Sequence, residues 1–191
     1  GTLSGGKAFE TYIHSMSNIL AKQNKPVKWM TSDGFEVIHA KKKELAKKKV
    51  QCRLPGARKT TVITKKVFSK DMNVRGMKSA VSPNYIHSLD AELLRRVALR
   101  MKDEGIEDSD WIHDSFGSHP NDVNLMLDIT KEEFFELIKR DPLDTLDKEL
   151  RRQMGEERAT FKALGETELP RLEEFSIKEL RSLYNSNWFF S

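Results

Sequence analysis

The sequence predicts an α+β fold, in which short antiparallel strands and hairpins pack against several helices. Two turn signals and one long helical pattern indicate this class. Asp33-Gly34 and Pro55-Gly56 each lie between apolar or β-branched runs, and glycine readily adopts the positive φ that tight hairpin turns demand. From Pro83 to Lys102, apolar residues recur every three or four positions, which is the period of a helix.

Helices are predicted over four segments: Lys7–Lys22, Pro83–Lys102, Asn121–Lys139 and Leu143–Met154. The core stripe of the second comprises Ile86, Leu89, Leu93, Val97 and Met101. The residues predicted to point inward in the third are Val123, Leu127 and either Phe134 or Phe135. Near the carboxy terminus, Ser176 and Glu179 form a capping box that predicts a further helix start, and the chain closes on the aromatic run 188–191.

Strands are predicted on both sides of the two turns. The arms of the first hairpin are Val27–Met30 and Phe35–His39, and those of the second are Val50–Leu54 and Thr60–Val67. Lysines on both sides of the second hairpin predict that it is an exposed ribbon. A further short strand is predicted over 110–114, where Trp111 and Ile112 favour it, and Ser115–His119 is predicted to turn away from that strand.

The positive charge of the chain is concentrated in one window. The formal net charge is +4, yet between Lys41 and Lys78 fourteen Lys or Arg residues accompany only Glu44 and Asp71. That window therefore carries +12 and the remainder carries −8. A basic block in an otherwise acidic chain predicts a localised element that binds a polyanion. A disordered, solvated lysine run over Lys41–Lys49 is the alternative.

Size and composition limit the remaining classes of protein. At 191 residues the chain fits one domain, or one lobe of something larger. No apolar run approaches the roughly 18 residues of a membrane span, and no secretory signal is evident. Cys52 is the one cysteine and cannot form an internal disulfide, so we expect a reducing intracellular compartment.

The segment Ile112–Gly117 contains a histidine, an acid and a serine in succession. A hydrolase triad is disfavoured, because in a strand His113 and Asp114 point to opposite faces, and no Gly-x-Ser-x-Gly elbow is present. A zinc site is disfavoured because the five histidines show no paired ligand spacing with Cys52. An acid at a strand end can instead bind a hard cation such as Mg²⁺. A turn or capping role for Asp114 is the alternative.

Three segments together carry a recognisable pattern. Ile112-His113-Asp114-Ser115-Phe116-Gly117 resembles the third palm motif of the phage and mitochondrial single-subunit DNA-directed RNA polymerases. Ser82–Asp90 is similar to the Pro-Asn-aromatic-apolar-His-Ser-x-Asp helix start of that family. Val27–Val37 is similar to its Trp hairpin, although Ser32 and Glu36 stand where proline is frequent. The three motifs occur in the family's order, and the similarity covers the chain from about residue 7 to its end.

The resemblance implies that the chain is the carboxy-terminal, palm-containing part of such an enzyme. Asp114 would be one of two catalytic aspartates that bind Mg²⁺, and His113 would support that site. His87, together with Tyr85, would bind the nucleotide near its sugar. For His87, capping of its own helix is the alternative.

The resemblance also gives the basic window a role. In the family, a ribbon between the Trp hairpin and the His-Ser helix reads promoter DNA. A two-stranded ribbon fits the major groove, where Arg and Gln pair with base edges. The residues predicted to contact bases lie near the tip: Gln51, Arg53, Arg58 and Lys59. The flanking lysines would contact phosphates.

Three segments of the chain follow from these motifs. Residues 1–40 hold the first helix and the Trp hairpin, 41–78 hold the ribbon, and 79–191 hold the His-Ser helix, the catalytic hairpin and the carboxy-terminal helices with an aromatic foot. None resembles the family's motif for the second catalytic aspartate or its fingers helix. We therefore expect a second polypeptide, or a missing segment, to complete a polymerase that uses promoter DNA as template and NTPs as substrates to make RNA.

Two other interpretations remain. A non-catalytic nucleic-acid-binding or assembly factor with a palm-like fold would keep the ribbon without the chemistry. A DNA polymerase fragment is disfavoured by Ser115, where that family has glutamate. A polymerase of the predicted kind would act in the cytoplasm of a phage-infected host cell, or in another intracellular compartment.

Overall fold

The computed structural model describes residues 3–53, 55–56, 60–112 and 115–154. Within these residues the chain forms four helices and three two-stranded antiparallel sheets. The helices are α1 (Leu3–Lys22), α2 (Val74–Asp103), α3 (Val123–Lys139) and α4 (Pro142–Met154). The paired strands are β1 (Val27–Met30) with β2 (Glu36–His39), β3 (Lys42–Cys52) with β4 (Thr61–Met72), and β5 (Ser109–Ile112) with β6 (Ser115–Ser118). The mixed class of fold, with short antiparallel hairpins and helices, is confirmed.

Helix α1 forms because apolar side chains recur along one of its faces. Its buried apolar residues include Tyr12, Ile13, Met16, Ile19 and Leu20. Beyond the helix, Asn24 adopts a left-handed conformation at φ 60°, which asparagine tolerates better than most residues. The Asn24 side chain accepts a 2.7 Å hydrogen bond from the N–H of Met72, so it joins the end of α1 to the end of β4.

Helix α2 is longer than the sequence predicted, because it begins at Val74 rather than at Pro83. The side chain of Asn73 caps it by accepting a 2.9 Å hydrogen bond from a backbone N–H of the first turn. Pro83 lies inside the helix, where a missing N–H and steric crowding typically cost about 3 kcal/mol. Burial of Met77 and Val81 in the turns before Pro83 helps to offset that cost.

The predicted core stripe of α2 is partly wrong. Leu93, Val97 and Met101 are buried as predicted, whereas Ile86 is 45% exposed and Tyr85 is buried in its place. The physical reason is that α2 packs against two different cores, so its inward face shifts along its length.

Two apolar cores hold the described elements together. The central residues of the first, between α1, β1, the first half of α2 and α4, include Met16, Trp29, Met77, Tyr85 and Leu150. The central residues of the second, between the last half of α2 and α3, are Leu93, Val97, Met101, Ile129 and Leu137. Leu89 packs against both cores, so α2 connects them.

The predicted hairpin around Asp33-Gly34 is confirmed. Trp29 of β1 lies opposite Val37 of β2, and both side chains pack in the first core. Gly34 has φ 87°, a left-handed value that glycine adopts without steric cost. The hairpin thus presents one face to the core and leaves the other exposed.

The predicted ribbon is also confirmed, and its arms are longer than predicted. Strands β3 and β4 pair from Lys42 opposite Met72 to Cys52 opposite Thr61, and nearly all of their residues are exposed. The lysine-rich segment 42–49 therefore lies in a strand rather than in a disordered run.

Strands β5 and β6 form a short hairpin in which Ile112 lies opposite Ser115. The turn predicted over Ser115–His119 is wrong, since residues 115–118 form a strand. Phe116 explains the difference, because its ring packs against Trp111 at a centroid distance of 5.0 Å and holds the segment in the sheet. Both rings also pack against the second core.

Helices α3 and α4 confirm the predictions over Asn121–Lys139 and Leu143–Met154 to within two residues. In α3, Ile129 and Leu137 are buried, whereas Val123, which was predicted to point inward, is exposed. The predicted capping box at 176–179 and the aromatic run at 188–191 lie outside the described residues.

The division into segments 1–40, 41–78 and 79–191 stays a prediction. Helix α2 crosses the predicted boundary between residues 78 and 79, so residues 74–78 of the predicted ribbon segment belong to the same helix as the His-Ser segment. Across the part of the chain that is described, no helix has the length and apolar character that crossing a bilayer requires.

Candidate functional site

Trp29 fixes the first hairpin to α2. Its indole N–H donates a 2.9 Å hydrogen bond to the Ser88 hydroxyl, which itself donates to the carbonyl of Tyr85 at 2.6 Å. The rings of Trp29 and Tyr85 also meet edge to face at a centroid distance of 5.7 Å. A buried polar contact and an aromatic contact therefore hold the His-Ser segment of α2 against the Trp hairpin.

Glu92 is a carboxylate that is only 1% exposed. It accepts hydrogen bonds from the Ser32 N–H at 3.1 Å and from the Ser32 hydroxyl, and Arg96 donates to it at 3.2 Å. Arg96 also bonds Glu133 of α3 at 2.9 Å. An unpaired buried charge costs several kcal/mol, so these contacts are what make the position of Glu92 tolerable. They join the turn after β1 to α2 and α3.

Ser32, at a position where proline is frequent in the family that the motifs resemble, makes a hydrogen bond that proline could not make. A proline nitrogen carries no hydrogen, so it could not donate the backbone bond that Ser32 gives to Glu92. The guanidinium groups of Arg96 and Arg140 donate to the Ser32 hydroxyl at 3.0 and 3.3 Å. Ser32 is thus a member of this charged network.

Asp33 is engaged by Arg95 of α2 rather than free to bind a cation. The guanidinium donates to both carboxylate oxygens, at 2.5 and 3.0 Å, and it stacks over the Phe35 ring at 5.0 Å. The Thr31 hydroxyl also donates to Asp33. Chiefly because of the hydrogen bonds from Arg95, the pKa of Asp33 falls to about 2.

His39 fixes the point where the ribbon begins. Its Nε2 lies 3.0 Å from the carbonyl of Met77, which can only accept, so Nε2 carries the proton. Its Nδ1 then accepts from the Asn84 side chain at 2.8 Å. Burial lowers the pKa of His39, which favours this neutral form. Next to it, the carbonyl of Lys41 accepts a 2.7 Å bond from the N–H of Asn73.

The two predicted nucleotide-binding residues have different surroundings. His87 is exposed to solvent, and the alternative that it caps its own helix is wrong, since Asn73 caps α2 well before it. Tyr85 is only 2% exposed, and its hydroxyl donates a 2.7 Å hydrogen bond to the Pro142 carbonyl. Burial raises the pKa of Tyr85 above its ordinary value. Tyr85 is thus a core residue here, and its contact with nucleotide stays a prediction.

The predicted catalytic residues His113 and Asp114 lie outside the described residues. The strands on either side of them are described, and Ile112 pairs with Ser115. Because Trp111 and Phe116 anchor these strands to the second core, the chain enters and leaves the predicted catalytic segment at fixed points.

Within the described ranges, no three His, Cys, Asp or Glu side chains are grouped so that they could hold a metal ion. Of the acids near the motifs, neither lies in the sequence context of the family's second aspartate: Asp110 is exposed on β5 opposite Gly117, and Asp33 is paired with Arg95. The described residues alone therefore do not form the Mg²⁺ site that the resemblance implies.

Strand register determines which ribbon residues share a face, because successive side chains point to opposite sides. One face carries Lys47, Lys49 and Gln51 with their cross-strand partners Lys66, Thr64 and Val62. The other carries Ala46, Lys48, Val50 and Cys52 with Val67, Lys65, Ile63 and Thr61. Of the residues predicted to contact bases, Gln51 and Arg53 are exposed, whereas Arg58 and Lys59 lie outside the described residues.

Sequence reasoning missed the network around Glu92. The available signal was a glutamate directly before Leu93 and three residues after Leu89, within an otherwise apolar stripe. A charged residue on the inward face of a helix needs a partner, which predicts a buried ion pair without identifying it.

Comparison with known proteins finds similar sequences along nearly the whole chain. A family model described as DNA-dependent RNA polymerase matches residues 5–187. "DNA-directed RNA polymerase 1, mitochondrial" of Nicotiana sylvestris is 25% identical over 185 residues, which are 97% of this chain and 17% of that protein. "DNA-directed RNA polymerase, mitochondrial" of Mus musculus is 27% identical over 195 residues, which are 97% of this chain and 16% of that protein.

A shorter relative matches over its whole length. "DNA-directed RNA polymerase 1A" of Nicotiana tabacum is 27% identical over 173 residues, which are 91% of this chain and all of that sequence. By contrast, this chain spans about a sixth of the length of the mitochondrial relatives.

The Asp33–Arg95 pair predicts a loss of stability in acid. The folded pKa of Asp33, about 2, lies below its ordinary value of 3.8. The pair therefore stabilises the fold fully above pH 4, and this contribution is lost as the pH falls towards 2. The free energy of unfolding, measured by denaturant titration at several pH values, should be lower for Asp33→Asn than for the wild type above pH 4, and the gap should narrow below it. Arg95→Met should behave in the same way. A gap that stays constant down to pH 2 would contradict this.

Proposed function

Because the chain belongs to the DNA-dependent RNA polymerase family, we propose that it is the carboxy-terminal, palm-containing part of an enzyme that makes RNA on a DNA template from NTPs. The family that the three motifs resemble is the family whose model matches the chain. One observation carries the proposal: the family match extends over residues 5–187, a range that spans the positions of all three motifs. In the fold, the Trp hairpin packs in the first core and the β5–β6 hairpin packs against the second, and α2, which contains the Ser82–Asp90 motif, contributes residues to both cores.

Asp114 is the proposed catalytic residue of this chain. Mg²⁺, when bound, would activate the attacking hydroxyl and neutralise the leaving pyrophosphate. Asp114 would supply one carboxylate ligand, and His113 would support it from the neighbouring position. Phosphoryl transfer by two metals needs a further carboxylate, and Asp33 is already paired with Arg95. A second polypeptide, or a segment beyond this chain, would supply it.

His87 is the proposed nucleotide-facing residue of α2. Its exposure leaves the imidazole available to a ligand, and the packing of Tyr85 and Ser88 in the core fixes the turn of helix on which it lies. Tyr85 would then contribute to nucleotide binding indirectly, by holding in place the part of α2 that carries His87. A direct contact between Tyr85 and nucleotide would require the ring to leave the first core.

The ribbon is the proposed DNA-binding element. Its strands are exposed on both faces and rich in lysine, as expected of a surface that binds phosphates. Gln51 and Arg53 would contact base edges, together with Arg58 and Lys59 near the tip. The fixed base of the ribbon, at His39 and Asn24, would set its direction relative to the rest of the site.

The names of the relatives bear on where such an enzyme acts. Those from Nicotiana sylvestris and Mus musculus are named as mitochondrial, and another, from Nicotiana tabacum, as chloroplastic. We propose that this chain also acts inside a cell or organelle. The cytoplasm of a phage-infected cell stays a prediction.

Substitution of Asp114 tests the catalytic proposal. RNA synthesis on a DNA template is measured for the chain assembled with the polypeptide that co-purifies with it, in the presence of Mg²⁺. Asp114→Asn should lower the rate at least about a hundredfold, because a neutral amide is a poor substitute for a carboxylate ligand. Asp110→Asn, which alters an exposed acid on the adjoining strand, should leave it within about twofold.

Full activity of Asp114→Asn would contradict the catalytic role. DNA binding by a wild-type assembly that makes no RNA would instead favour a non-catalytic nucleic-acid-binding or assembly factor with the same fold.

Salt dependence tests the ribbon. Lys49→Gln should weaken binding to all duplexes alike and reduce the slope of log affinity against log salt by about 0.9. Gln51→Ala should leave that slope unchanged but cost about 1–3 kcal/mol of discrimination at the preferred sequence, since it removes a base contact.

Anisotropy titrations and selection from a randomised duplex pool measure both effects. Lys102→Gln, at the end of α2, is the control. Binding that survives loss of Lys49, Gln51 and Arg53 together would contradict this role of the ribbon.

A further inference from the structure

Two pairs of lysines face each other across the ribbon, one pair on each face. Lys47 lies opposite Lys66, and Lys48 lies opposite Lys65. Like charges directly opposite each other on antiparallel strands repel and destabilise the pairing. Each pair therefore attracts an anion that can sit between the two ammonium groups.

Within the described residues, only one of the two pairs contacts a carboxylate. The carboxylate of Glu44 lies 3.2 Å from Nζ of Lys66 and 3.9 Å from Nζ of Lys47. For Lys48 and Lys65, the described ranges contain no carboxylate within ion-pair distance. Both faces of the ribbon thus carry a lysine pair, but a carboxylate contacts only the pair formed by Lys47 and Lys66.

The strand register of the ribbon is irregular next to Glu44. Glu44 pairs with Phe68 and Ala46 with Val67, so β3 has one residue more than β4 at this point. The extra residue, Leu45, is exposed. Bulges of this kind re-aim the side chains beside them. Here the bulge lies directly beside the carboxylate that contacts the lysine pair.

We propose that Glu44 is an intramolecular competitor for DNA phosphate. Its carboxylate occupies the place between Lys47 and Lys66 that a phosphate would take, while Lys48 and Lys65 stay open to DNA. The proposal rests on the proposed function of the ribbon as a DNA-binding element. Its consequence is selectivity, because DNA bound through phosphates alone must first displace Glu44 to use the first pair. Non-specific binding is therefore weaker than the fourteen basic residues of the window would give without Glu44.

The physical scale of this competition is modest. The ion pairs of Glu44 are partly exposed, and such pairs contribute little individually. Counterion release, however, adds up over the phosphate contacts. Each contact contributes about 0.9 to the slope of log affinity against log salt. Release of two lysines should therefore steepen the slope by up to about 2 and tighten non-specific binding about 3- to 10-fold at low salt.

The test compares substitutions that remove one negative charge from the same window. Binding of the whole chain to a short labelled duplex of arbitrary sequence is measured by fluorescence anisotropy at several salt concentrations. Glu44→Gln should bind about 3- to 10-fold more tightly than the wild type, with a steeper salt slope. Asp71→Asn is the matched control, because Asp71 is exposed and is the only other acid between Lys41 and Lys78. Asp71→Asn should increase the affinity for the duplex clearly less than Glu44→Gln does.

Combined substitutions locate the effect on one face. In the Glu44→Gln background, Lys47→Gln with Lys66→Gln should abolish the gain, whereas Lys48→Gln with Lys65→Gln should lower affinity but preserve the gain. Glu44 lies outside both cores, so these variants should keep the far-ultraviolet circular dichroism of the wild type.

The possible failures are distinguishable. If Glu44→Gln binds no more tightly than Asp71→Asn, or if its gain survives loss of Lys47 and Lys66, the competitor role is wrong while the ribbon can still bind DNA. If removal of both lysine pairs leaves DNA binding unchanged, the proposed function of the ribbon fails, and the competitor role fails with it.

Discussion

Glu92 carries a carboxylate into an almost fully buried position, and the groups that satisfy it come from separate parts of the chain. Ser32 supplies a backbone N–H and a hydroxyl from the turn after β1, while Arg96 supplies a guanidinium that also reaches Glu133 on α3. A buried charge that loses a partner is strongly destabilising, so this turn and the two helices are constrained to meet in one arrangement.

Helix α2 contacts, directly or through the two cores, each segment that has a proposed role, and so fixes their relative positions. Near its start, the Met77 carbonyl and the Asn84 side chain hold His39, and with it the base of the ribbon. In the middle, Ser88 holds Trp29, and the neighbouring His87 is exposed. Towards its end, apolar residues of the second core pack against Trp111 and Phe116, on either side of the predicted catalytic segment. The ribbon, the nucleotide-facing surface and the strands flanking Asp114 are therefore arranged along one rigid element.

Local chemistry made some parts of this structure predictable from sequence and left others hidden. Asp33-Gly34 specified the Trp hairpin, because few residues other than glycine take the φ of 87° found there. The start of α2 was hidden, since Pro83 is typical of a first turn, and the burial of Met77 and Val81 that extends the helix past it is a tertiary effect. Strand β6 could not be predicted because Gly117 disfavours a strand and its serines are not strand formers, so the packing of Phe116 decides the conformation. Of the groups that bind Glu92, Arg96 is four residues away on the same helix and could be expected from the helix period, whereas Ser32 is 60 residues away and could not be read from sequence.

Amide hydrogen exchange is the most direct test of the claim that the Glu92 network fixes these parts in one arrangement. In the wild type, the Ser32 amide, which donates to Glu92, should be protected to about the same degree as the core amides of α2. Glu92→Gln should speed exchange both at Ser32 and in β6, because the turn and α3 lose their common anchor. A Ser32 amide that exchanges as fast as an unfolded one in the wild type, or a Glu92→Gln variant with unchanged exchange at both places, would contradict it.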